Sequence, residues 1–302
     1  MIRSLVTGGC GFIGSHLVDN LVSLGHQVTV IDNLSADTDK FHFNESKNVK
    51  YIHDDILNFD VVNDASKGCD HVFHLAAESR IGPTLENPIK ACTVNFVGTC
   101  NILQASRNNG VKSVVYSATS SSYGLAKSFP QVEEDPIDNL NPYAVSKYAG
   151  EDLCRMYKKL WGLNAVALRY FNVYGERMPS RGQYAPVIGI FLKQKENNQP
   201  LTIVGDGNQR RDFINVHDVT SANILAAETE ISEEYYGQVF NVGSGKNISI
   251  LEIAQLISDN YTFIDYRPGE ADTTLSDISK IKKVFKWEPK VDVRDWILKN
   301  NG

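Results

Sequence analysis

The sequence predicts an α/β fold built around a doubly wound parallel sheet, and three features support this prediction. Short apolar runs alternate with segments whose apolar residues recur at helical spacing. The runs are almost continuously apolar, which is typical of strands that helices cover on both faces. The first run, Ile2–Val6, is followed at once by a glycine-rich stretch and then by a helical pattern. Right-handed connections between such strands produce a parallel sheet.

The predicted elements divide the chain into a larger first part and a smaller second part. After about residue 176 the alternation becomes less regular, so residues 1–175 are predicted to form the sheet domain and residues 176–302 a smaller C-terminal α/β lobe. Two segments of the second part, a helix at 217–228 and a strand at 239–242, could return to the main sheet. The strands predicted in the first part are Ile2–Val6, Gln27–Ile31, Val49–Ile52, His71–Ala77, Val111–Ser117 and Asn164–Arg169.

Composition and charge narrow the class of protein. The 302-residue chain has 42% hydrophobic and 22% charged residues, which is ordinary for a globular protein. Its net charge of −6 argues against nucleic acid or an anionic membrane as the main partner. Five scattered cysteines show no metal-ligand spacing, so we expect reduced thiols and no metal site. We expect neither a signal peptide nor a membrane span, and therefore a cytoplasmic protein.

The stretch from Thr7 to Gly14 has the context of a dinucleotide-binding turn, because a strand precedes it and a helix follows. Gly8 allows a tight turn, Gly11 lets the backbone approach a pyrophosphate, and Gly14 lets the helix pack close to the strand. Free N–H groups at the helix N-terminus then face the anion. Asp32 closes the second strand, 18 positions after Gly14, where a carboxylate binds ribose hydroxyls and repels a 2′-phosphate. The sequence therefore predicts a Rossmann sheet that binds NAD rather than NADP.

Tyr143 and Lys147 are four residues apart on a predicted helix and therefore share one face. A phenol with an ordinary pKa near 10 is a poor base at neutral pH, but an adjacent ammonium and the positive nicotinamide stabilise the phenolate. This spacing alone often arises by chance. It gains weight because the fifth strand ends upstream in the hydroxyl-rich stretch Ser117–Gly124, which can supply a hydrogen bond to a substrate oxygen. These residues indicate a tyrosine acid/base beside a nicotinamide.

In this order, the motifs resemble those of the extended short-chain dehydrogenase/reductase family. Within that family they are most similar to the NAD-dependent nucleotide-sugar epimerases, of the kind that act on UDP-glucose or UDP-N-acetylglucosamine. The resemblance extends over almost the whole chain. The motifs that carry it are residues 7–14, 54–56, 74–77, 95, 143–147, 168–175, 205–213, 241–245 and 267–269.

The resemblance implies a role for each of three catalytic residues. Tyr143 is the acid/base, Lys147 binds the nicotinamide ribose and lowers the pKa of the tyrosine, and Thr119 hydrogen-bonds the substrate oxygen. The related 4,6-dehydratases and uronic acid decarboxylases carry acidic residues next to this threonine, typically a glutamate at the position of Ser121. Because a serine stands there, the carboxyl group needed for β-elimination is missing, and an epimerase is favoured.

The resemblance also assigns residues to two binding sites. Asn172, Arg211 and Arg267 are expected to hold the sugar diphosphate, since arginines are permanently charged, fork-shaped donors to phosphate oxygens. The expected cofactor site consists of Gly8, Gly11, Phe12, Ile13, Gly14, Asp32, Asn33, Asp55, Ile56, Leu75, Ala76, Ala77, Asn95, Ser117, Tyr143, Lys147 and Tyr170. The expected substrate site consists of Ser79, Thr119, Ser120, Ser121, Tyr143, Asn172, Tyr184, Val187, Arg211, Arg267 and Thr274.

The expected activity is 4-epimerisation of a UDP-hexose or UDP-N-acetylhexosamine through a 4-keto sugar, with NAD regenerated in each turnover. Thr274 lies seven residues after Arg267. The resemblance implies that enzymes with a large tyrosine at this position are limited to unacetylated sugars. The smaller threonine therefore predicts room for an N-acetyl group. Other activities of the same family stay open, namely a 2-epimerase, a uronic acid epimerase or a 4-reductase, as does a dinucleotide-binding regulator without catalysis. The resemblance further implies a homodimer with a four-helix interface formed by helices 88–108 and 146–160.

Overall fold

A seven-stranded, fully parallel sheet forms the centre of the computed structural model, which describes residues 1–36, 38–180, 185–266 and 271–301. Further short strands lie outside this sheet. In chain order the strands are β1 (Arg3–Thr7), β2 (Gln27–Asp32), β3 (Val49–His53), β4 (His71–His74), β5 (Ser113–Thr119), β6 (Ala165–Tyr170), β7 (Asn172–Tyr174), β8 (Leu201–Val204), β9 (Arg210–Arg211), β10 (Phe213–Asn215), β11 (Val239–Val242), β12 (Ile248–Ser249) and β13 (Tyr261–Ile264).

The strand order of the main sheet is β11-β6-β5-β4-β1-β2-β3. The chain builds β1 to β3 towards one edge and then returns to the other side of β1 with β4. The order therefore reverses between β1 and β4, and a crevice opens there at the carboxyl ends of the strands, where ligands of such sheets bind. This is the predicted doubly wound fold.

Helices cover both faces of the sheet, as the sequence predicts. Within the described ranges, no helix combines the length and the apolar character that crossing a bilayer requires. The helices are α1 (Phe12–Ser23), α2 (Phe59–Ala65), α3 (Ile81–Glu86), α4 (Pro88–Cys92), α5 (Thr99–Asn108), α6 (Pro142–Trp161), α7 (Val187–Glu196), α8 (Val216–Glu228), α9 (Ile250–Ile257), α10 (Ser279–Phe285) and α11 (Val293–Asn300).

Two hydrophobic cores hold these helices to the sheet, one on each face. On one face α1 and α8 pack side by side and bury residues such as Leu17, Leu21 and Val219. On the other face α2, α5 and α6 bury residues such as Val62 and Leu103. Burial of this apolar area on both faces is the main stabilising contribution to the domain. The five cysteines are free thiols, and Cys10, Cys69 and Cys154 are buried in these cores.

The single helix predicted for residues 88–108 is divided into three segments. α4 and α5 are separated by a π-helical turn, Thr93–Gly98, which widens the helix at Asn95. The wider turn directs the buried Asn95 side chain to the backbone of Glu78 and to the Ser146 hydroxyl, which lies 2.9 Å away. Apolar periodicity does not reveal such a turn, because the flanking residues keep helical spacing.

The part of the chain after residue 176 contributes both to a lobe and to the main sheet. In the lobe, β8 pairs with β13 and β9 with β12, and α7, α9 and α11 pack on a third core that includes Phe191 and Ile253. Between these lobe segments, the chain returns to the sheet domain. α8 packs beside α1, and β11 joins the sheet edge in register with β6, from Val239 opposite Ala167 to Val242 opposite Tyr170.

Candidate active site

A cavity of about 750 Å³ lies at the carboxyl ends of the central strands. One wall consists of the β1–α1 turn, the ends of β2, β4 and β5, and the first turns of α6. The opposite wall comes from the lobe, through α7, β8 and β9. The cavity therefore lies where the reversal of strand order places the ligand crevice.

The β1–α1 turn fits a pyrophosphate. Gly8 has φ +70° and lies so close to the segment after β4 that a Cβ there would be 2.8 Å from Ala76 N. A Cβ on Gly14 would collide with the Gly8 carbonyl, so only glycine lets α1 start this close to the strand. A Cβ on Gly11 would meet only Gly8 O, at 3.5 Å, and Gly11 lines the cavity. The first N–H groups of α1 have no helical acceptor and suit an anion.

Asp32 lies at the carboxyl end of β2 and lines the cavity. Its Oδ2 accepts a hydrogen bond from Cys10 N–H at 2.9 Å, and its Oδ1 accepts one from Leu34 N–H at 2.9 Å. Each carboxylate oxygen has a second lone pair, which can accept a hydrogen bond from a ligand hydroxyl in the cavity. Next to it, Asn33 Nδ2 donates to Asp55 Oδ2 at 2.8 Å. This end of the cavity is suited to an adenosine ribose.

Helix α6 presents Tyr143 and Lys147 to the cavity. Its start is fixed by Asn141, whose side chain accepts the Ala144 N–H at 2.9 Å, and by Pro142 in the first helical turn. Because the helix begins here, Tyr143 lies in the first turn and Lys147 one turn further along the same face. The sequence therefore places an acid/base candidate and a cation side by side.

Burial shifts the pKa values of both side chains away from charge. Burial raises the pKa of Tyr143, and a hydrogen bond with the Thr119 hydroxyl opposes this shift. Burial lowers the pKa of Lys147 to about 7. The Lys147 ammonium lies over the ring of Tyr116, with Nζ 4.3 Å from the ring centroid. Lys147 can therefore change protonation near neutral pH, whereas Tyr143 needs a nearby positive charge to offset the effect of burial on its pKa.

Hydroxyl groups at the end of β5 face the same part of the cavity. Thr119 is the last residue of β5, and its Oγ1 accepts the Ser121 N–H at 3.1 Å, which starts a short 3₁₀ turn over Ser120–Tyr123. Thr119, Ser120 and Ser121 all line the cavity. These side chains can hydrogen-bond a sugar hydroxyl, and none of the three can act as a carboxylic acid.

His74 lies behind the cavity as a fully buried, neutral imidazole, because burial holds its pKa well below the ordinary value. Its Nε2 is 2.9 Å from Thr99 Oγ1, which itself donates to Asn95 O. Thr99 must therefore accept from Nε2–H, and His74 Nδ1 accepts from the Thr7 hydroxyl at 2.8 Å. This chain of hydrogen bonds connects β1, β4 and the π-helical turn.

On the lobe side, a buried carboxylate organises the candidate substrate residues. Asp212 is fully buried, and its carboxylate accepts hydrogen bonds from Ser244, Gly245 and Ser276. Its carbonyl accepts Asn172 Nδ2–H at 2.8 Å, and its N–H donates to Thr274 Oγ1 at 3.0 Å. The segments that carry these residues are thereby held together next to Arg211, which lines the cavity.

Most of the residues predicted for the two binding sites line this cavity, and two of the described ones, Asn95 and Thr274, do not. Asn95 lies behind the wall, and Thr274 directs its hydroxyl to Asn172 and Asp212. Tyr184 and Arg267 lie outside the described residues. The predicted residues that line the cavity are Gly8, Gly11, Phe12, Ile13, Gly14, Asp32, Asn33, Asp55, Ile56, Leu75, Ala76, Ala77, Ser79, Ser117, Thr119, Ser120, Ser121, Tyr143, Lys147, Tyr170, Asn172, Val187 and Arg211.

The lining residues that the sequence motifs assigned no role include an ion pair and a glutamine. One is the ion pair between Lys90 Nζ and Glu78 Oε1, at 2.6 Å, which joins α4 to the loop after β4. The other is Gln209, which donates to Val204 O at 2.8 Å on the lobe wall. Gln209 lies in the 205–213 motif, directly before Arg210 and Arg211, so its place next to the cavity could have been predicted from the sequence. The ion pair could not, since its partners are twelve residues apart.

The fold and the cavity together define the class of the protein. A doubly wound sheet with a glycine turn, an acidic residue ending β2, and a tyrosine–lysine pair on α6 is the arrangement of a short-chain dehydrogenase/reductase. A family model described as GDP-mannose 4,6 dehydratase matches residues 5–299. The chain therefore belongs to the GDP-mannose 4,6-dehydratase family, an extended branch of that class.

Two curated relatives are similar to the chain over nearly their full lengths. The UDP-glucose 4-epimerase of Mycolicibacterium smegmatis is 34% identical, over 99% of this chain and 97% of the relative. The UDP-N-acetyl-alpha-D-glucosaminuronate decarboxylase of Bacillus cytotoxicus is 36% identical, over 96% of this chain and 93% of the relative. The relatives thus share a nucleotide-sugar substrate class and differ in the reaction.

Solved structures give the same result at the level of the fold. The UDP-N-acetylglucosamine 4-epimerase of Methanobrevibacter ruminantium, in complex with UDP-N-acetylmuramic acid, has a TM-score of 0.92 and 34% identity, covering 99% of this chain and 96% of the other. The UDP-glucose 4-epimerase of Thermus thermophilus, in complex with NAD, has a TM-score of 0.88 and 32% identity, covering 98% and 97%. The predicted fold, family and NAD-dependent enzyme class are confirmed.

Proposed function

We propose that the protein is a 4-epimerase of a nucleotide sugar, with a UDP-linked hexose or N-acetylhexosamine as its substrate. The observation that carries the proposal is the composition of the cavity around Tyr143. Lys147 shares its helix face, and the three facing residues Thr119, Ser120 and Ser121 offer hydroxyl groups without a carboxyl group. Removal of a proton from a sugar hydroxyl is supported, whereas protonation of a leaving group by an acidic residue at position 121 is not.

NAD is the cofactor, and the first wall of the cavity would hold it. The N-terminus of α1 with Gly11 would hold the pyrophosphate, and Asp32 would accept the adenosine ribose hydroxyls. Asp55 and Ile56 would lie next to the adenine. Ser117 and Tyr170, which are hydrogen-bonded to each other at 3.0 Å, would lie towards the nicotinamide end. Bound NAD supplies a hydride acceptor for C4 of the sugar and returns the hydride in the same turnover.

Tyr143 would move the proton of the reaction. As a phenolate it takes the proton of the sugar 4-hydroxyl, while the Thr119 hydroxyl donates a hydrogen bond to that oxygen. After the sugar has become a 4-keto sugar and has turned about its diphosphate link, Tyr143 returns the proton to O4 of the opposite epimer. No proton is gained or lost over the cycle. Thr119 is suited to its part because its hydroxyl interacts with Tyr143 and lowers the pKa of the phenol against the effect of burial.

Lys147 would make this possible near neutral pH. Burial raises the pKa of Tyr143, so without help the phenolate is scarce. The Lys147 ammonium one helical turn away, together with the positive nicotinamide, favours the phenolate by charge attraction. Lys147 can also donate to the nicotinamide ribose. The same side chain thus holds the cofactor and prepares the base.

The lobe would bind the nucleotide diphosphate. Arg211 lines the cavity there, and Asn172 is fixed next to it by its hydrogen bond to Asp212 O. One guanidinium can donate hydrogen bonds to two phosphate oxygens at once, so Arg211 would bind the diphosphate. Arg267 and Tyr184 are proposed to join it, and Val187 lies at the start of α7 on the same wall. The diphosphate is then the pivot about which the 4-keto sugar turns.

The residue at position 274 would decide whether N-acetylated sugars are accepted. Thr274 is small, and its hydroxyl accepts a hydrogen bond at 3.2 Å from Nδ2 of Asn172, which lines the cavity. We expect Thr274→Tyr to suppress conversion of UDP-N-acetylglucosamine while conversion of UDP-glucose continues, because only the larger sugar needs this space. Comparison of kcat/KM for the two sugars checks this. Equal loss for both sugars would show that position 274 does not face the C2 substituent.

A homodimer is also proposed, through the face formed by α3, α4, the π-helical turn and α6. Leu85, Ile89, Phe96 and Val97 are 55%, 79%, 42% and 46% exposed there, and Val145 of α6 is 48% exposed. Such a run of exposed apolar side chains is typical of an interface. Light scattering should give twice the chain mass, and Ile89→Asp should lower it. Leu24→Asp, at an exposed leucine after α1, is the control. A monomeric wild type would contradict the proposal.

Decarboxylation of a UDP-hexuronate is the second candidate, because a relative at 36% identity has that name. The two reactions share the oxidation at C4, and they differ in what happens to the keto sugar. We would incubate the protein, without added NAD, with UDP-, GDP-, CDP- and dTDP-sugars, including UDP-hexuronates, and separate the products by chromatography. Interconversion of a 4-epimeric pair is the expected result. A pentose product from a UDP-hexuronate, or no 4-epimer from any sugar, would overturn the proposed function.

A further inference from the structure

Lys147 is a buried cation without an anionic partner. It is 3% exposed, and among the residues that the structure describes no carboxylate forms an ion pair with it. Glu151, one turn further along α6, is occupied by Arg169, which donates to both carboxylate oxygens at 2.9 and 2.7 Å. Removing an ammonium from water without a compensating partner is costly. Some other group must therefore offset that cost if Lys147 is to stay charged.

The ring of Tyr116 is the group in contact with the ammonium. Nζ of Lys147 lies 4.3 Å from the ring centroid, and Tyr116 is fully buried on β5. The Tyr116 hydroxyl donates to Lys147 O at 3.0 Å, so ring and helix are held in register. A Cβ on Gly150 would collide with this hydroxyl, which shows how closely α6 packs on the ring. The negative face of an aromatic ring attracts a cation, and most strongly where water is excluded.

We propose that Tyr116 is a positioning residue of the proposed reaction, whose ring face holds the Lys147 ammonium charged and directed towards Tyr143. The proposal rests on the proposed function. Tyr116 does not line the cavity and would not touch the sugar. It acts through Lys147, and its hydroxyl group serves only to fix the ring against the helix.

The other titratable groups around Lys147 do not change its charge near pH 7, so the Tyr116 ring is the contribution that a variant can alter. On α6 these are Tyr143, Glu151 and Cys154, and on β4 the group is His74. Burial holds the pKa of His74 well below its ordinary value and raises that of Cys154 to about 12, so both are neutral near pH 7. The charge of Glu151 is balanced by Arg169. A weaker negative potential on the face of the Tyr116 ring should therefore lower the pKa of Lys147 directly.

The test replaces Tyr116 by phenylalanine and then by phenylalanines with one, two and three ring fluorines. The series keeps the shape of the ring and weakens its negative face in steps. Two properties are measured in each variant. One is the pH dependence of kcat, and the other is the pH midpoint at which Lys147 reacts with an amine reagent, read by peptide mass spectrometry without substrate. A trifluorinated ring at Phe73, which is fully buried on β4, is the matched control.

Each fluorine should move the Lys147 labelling midpoint to lower pH, because the ammonium loses stabilisation. The acid limb of kcat should move to higher pH, because Tyr143 then loses the cation that favours its phenolate. We expect a total shift of about one pH unit, or about tenfold in turnover on the acid limb. Midpoints that stay constant across the series would overturn the proposal. Wild-type epimerisation with constant midpoints would leave the proposed function intact, and the labelling series is informative even without turnover.

Discussion

Tyr143 is the residue on which the proposed chemistry depends most. We expect Tyr143→Phe to keep the fold and NAD binding and to reduce turnover roughly 10²–10⁴-fold, the usual effect of removing a general acid/base. Thr119→Val should cost less, since neighbouring hydroxyl groups and water can replace one hydrogen bond. Steady-state kinetics and the absorbance of bound NAD measure both effects. Unchanged turnover in Tyr143→Phe would mean that another group is the base.

Asp32 is expected to determine the choice between NAD and NADP. Asp32→Asn removes the charge that repels a 2′-phosphate but keeps an acceptor for one of the two backbone N–H groups that the carboxylate binds at 2.9 Å. We therefore predict weaker NAD binding and a smaller preference over NADP, with Asp32→Ala affected more strongly. Titration of the protein, freed of cofactor, with both nucleotides checks this. A wild type that prefers NADP would contradict the assignment.

At the residue scale, sequence motifs predicted the lining of the cavity better than the supports behind it. Gly8, Asp32 and Tyr143 were predictable because cofactor chemistry limits which residue types can occupy those places. Asn95 was expected to contact the cofactor, but its side chain hydrogen-bonds Glu78 and Ser146 instead of lining the cavity. Its orientation depends on a π-helical turn, and that turn has no signature in apolar spacing.

Helix α6, which carries the proposed catalytic pair, is joined to β6 by a buried ion pair. Glu151 and Arg169 are 0% and 2% exposed, and the Arg169 guanidinium also lies 4.7 Å from the Tyr123 ring centroid. Glu151→Gln leaves an uncompensated buried cation, so the free energy of unfolding should fall by about 3–5 kcal/mol. Urea unfolding measures this. The double variant Glu151→Leu, Arg169→Met removes both charges and should lose less. A double variant that is less stable than Glu151→Gln would contradict this and show that the ion pair itself contributes net stability.

At the scale of elements, the strands of the main sheet and most helices could be predicted because buried parallel strands and amphipathic helices leave clear patterns. The predicted helix end at Asn108 is also the end of α5. What the sequence left open was where the second part of the chain goes. The pairing of β11 with β6 is a contact between residues about seventy positions apart, and periodicity carries no information on such partners.

The molecule as a whole should lose stability in mild acid. Burial lowers the pKa values of His16, His71 and His74 below their ordinary value. The unfolded chain then binds more protons than the folded one as the pH falls below about 6.5, so the stabilisation is complete above that pH and is lost below it. We expect a lower free energy of unfolding at pH 5.5 than at pH 7.5, and a smaller difference in His74→Gln. Equal stability at both values would contradict this.

The central claim for the whole molecule is that the sugar is oxidised and reduced at C4 within one closed active site. The most direct measurement uses a UDP-sugar that the protein epimerises, labelled with deuterium on C4 and with ¹⁸O in the 4-hydroxyl, in ordinary water. Mass spectrometry and NMR of the 4-epimer should find both labels at C4, because the hydride returns to its carbon and the C4–O4 bond never breaks. Loss of the deuterium to water, or exchange of the ¹⁸O, would contradict the mechanism.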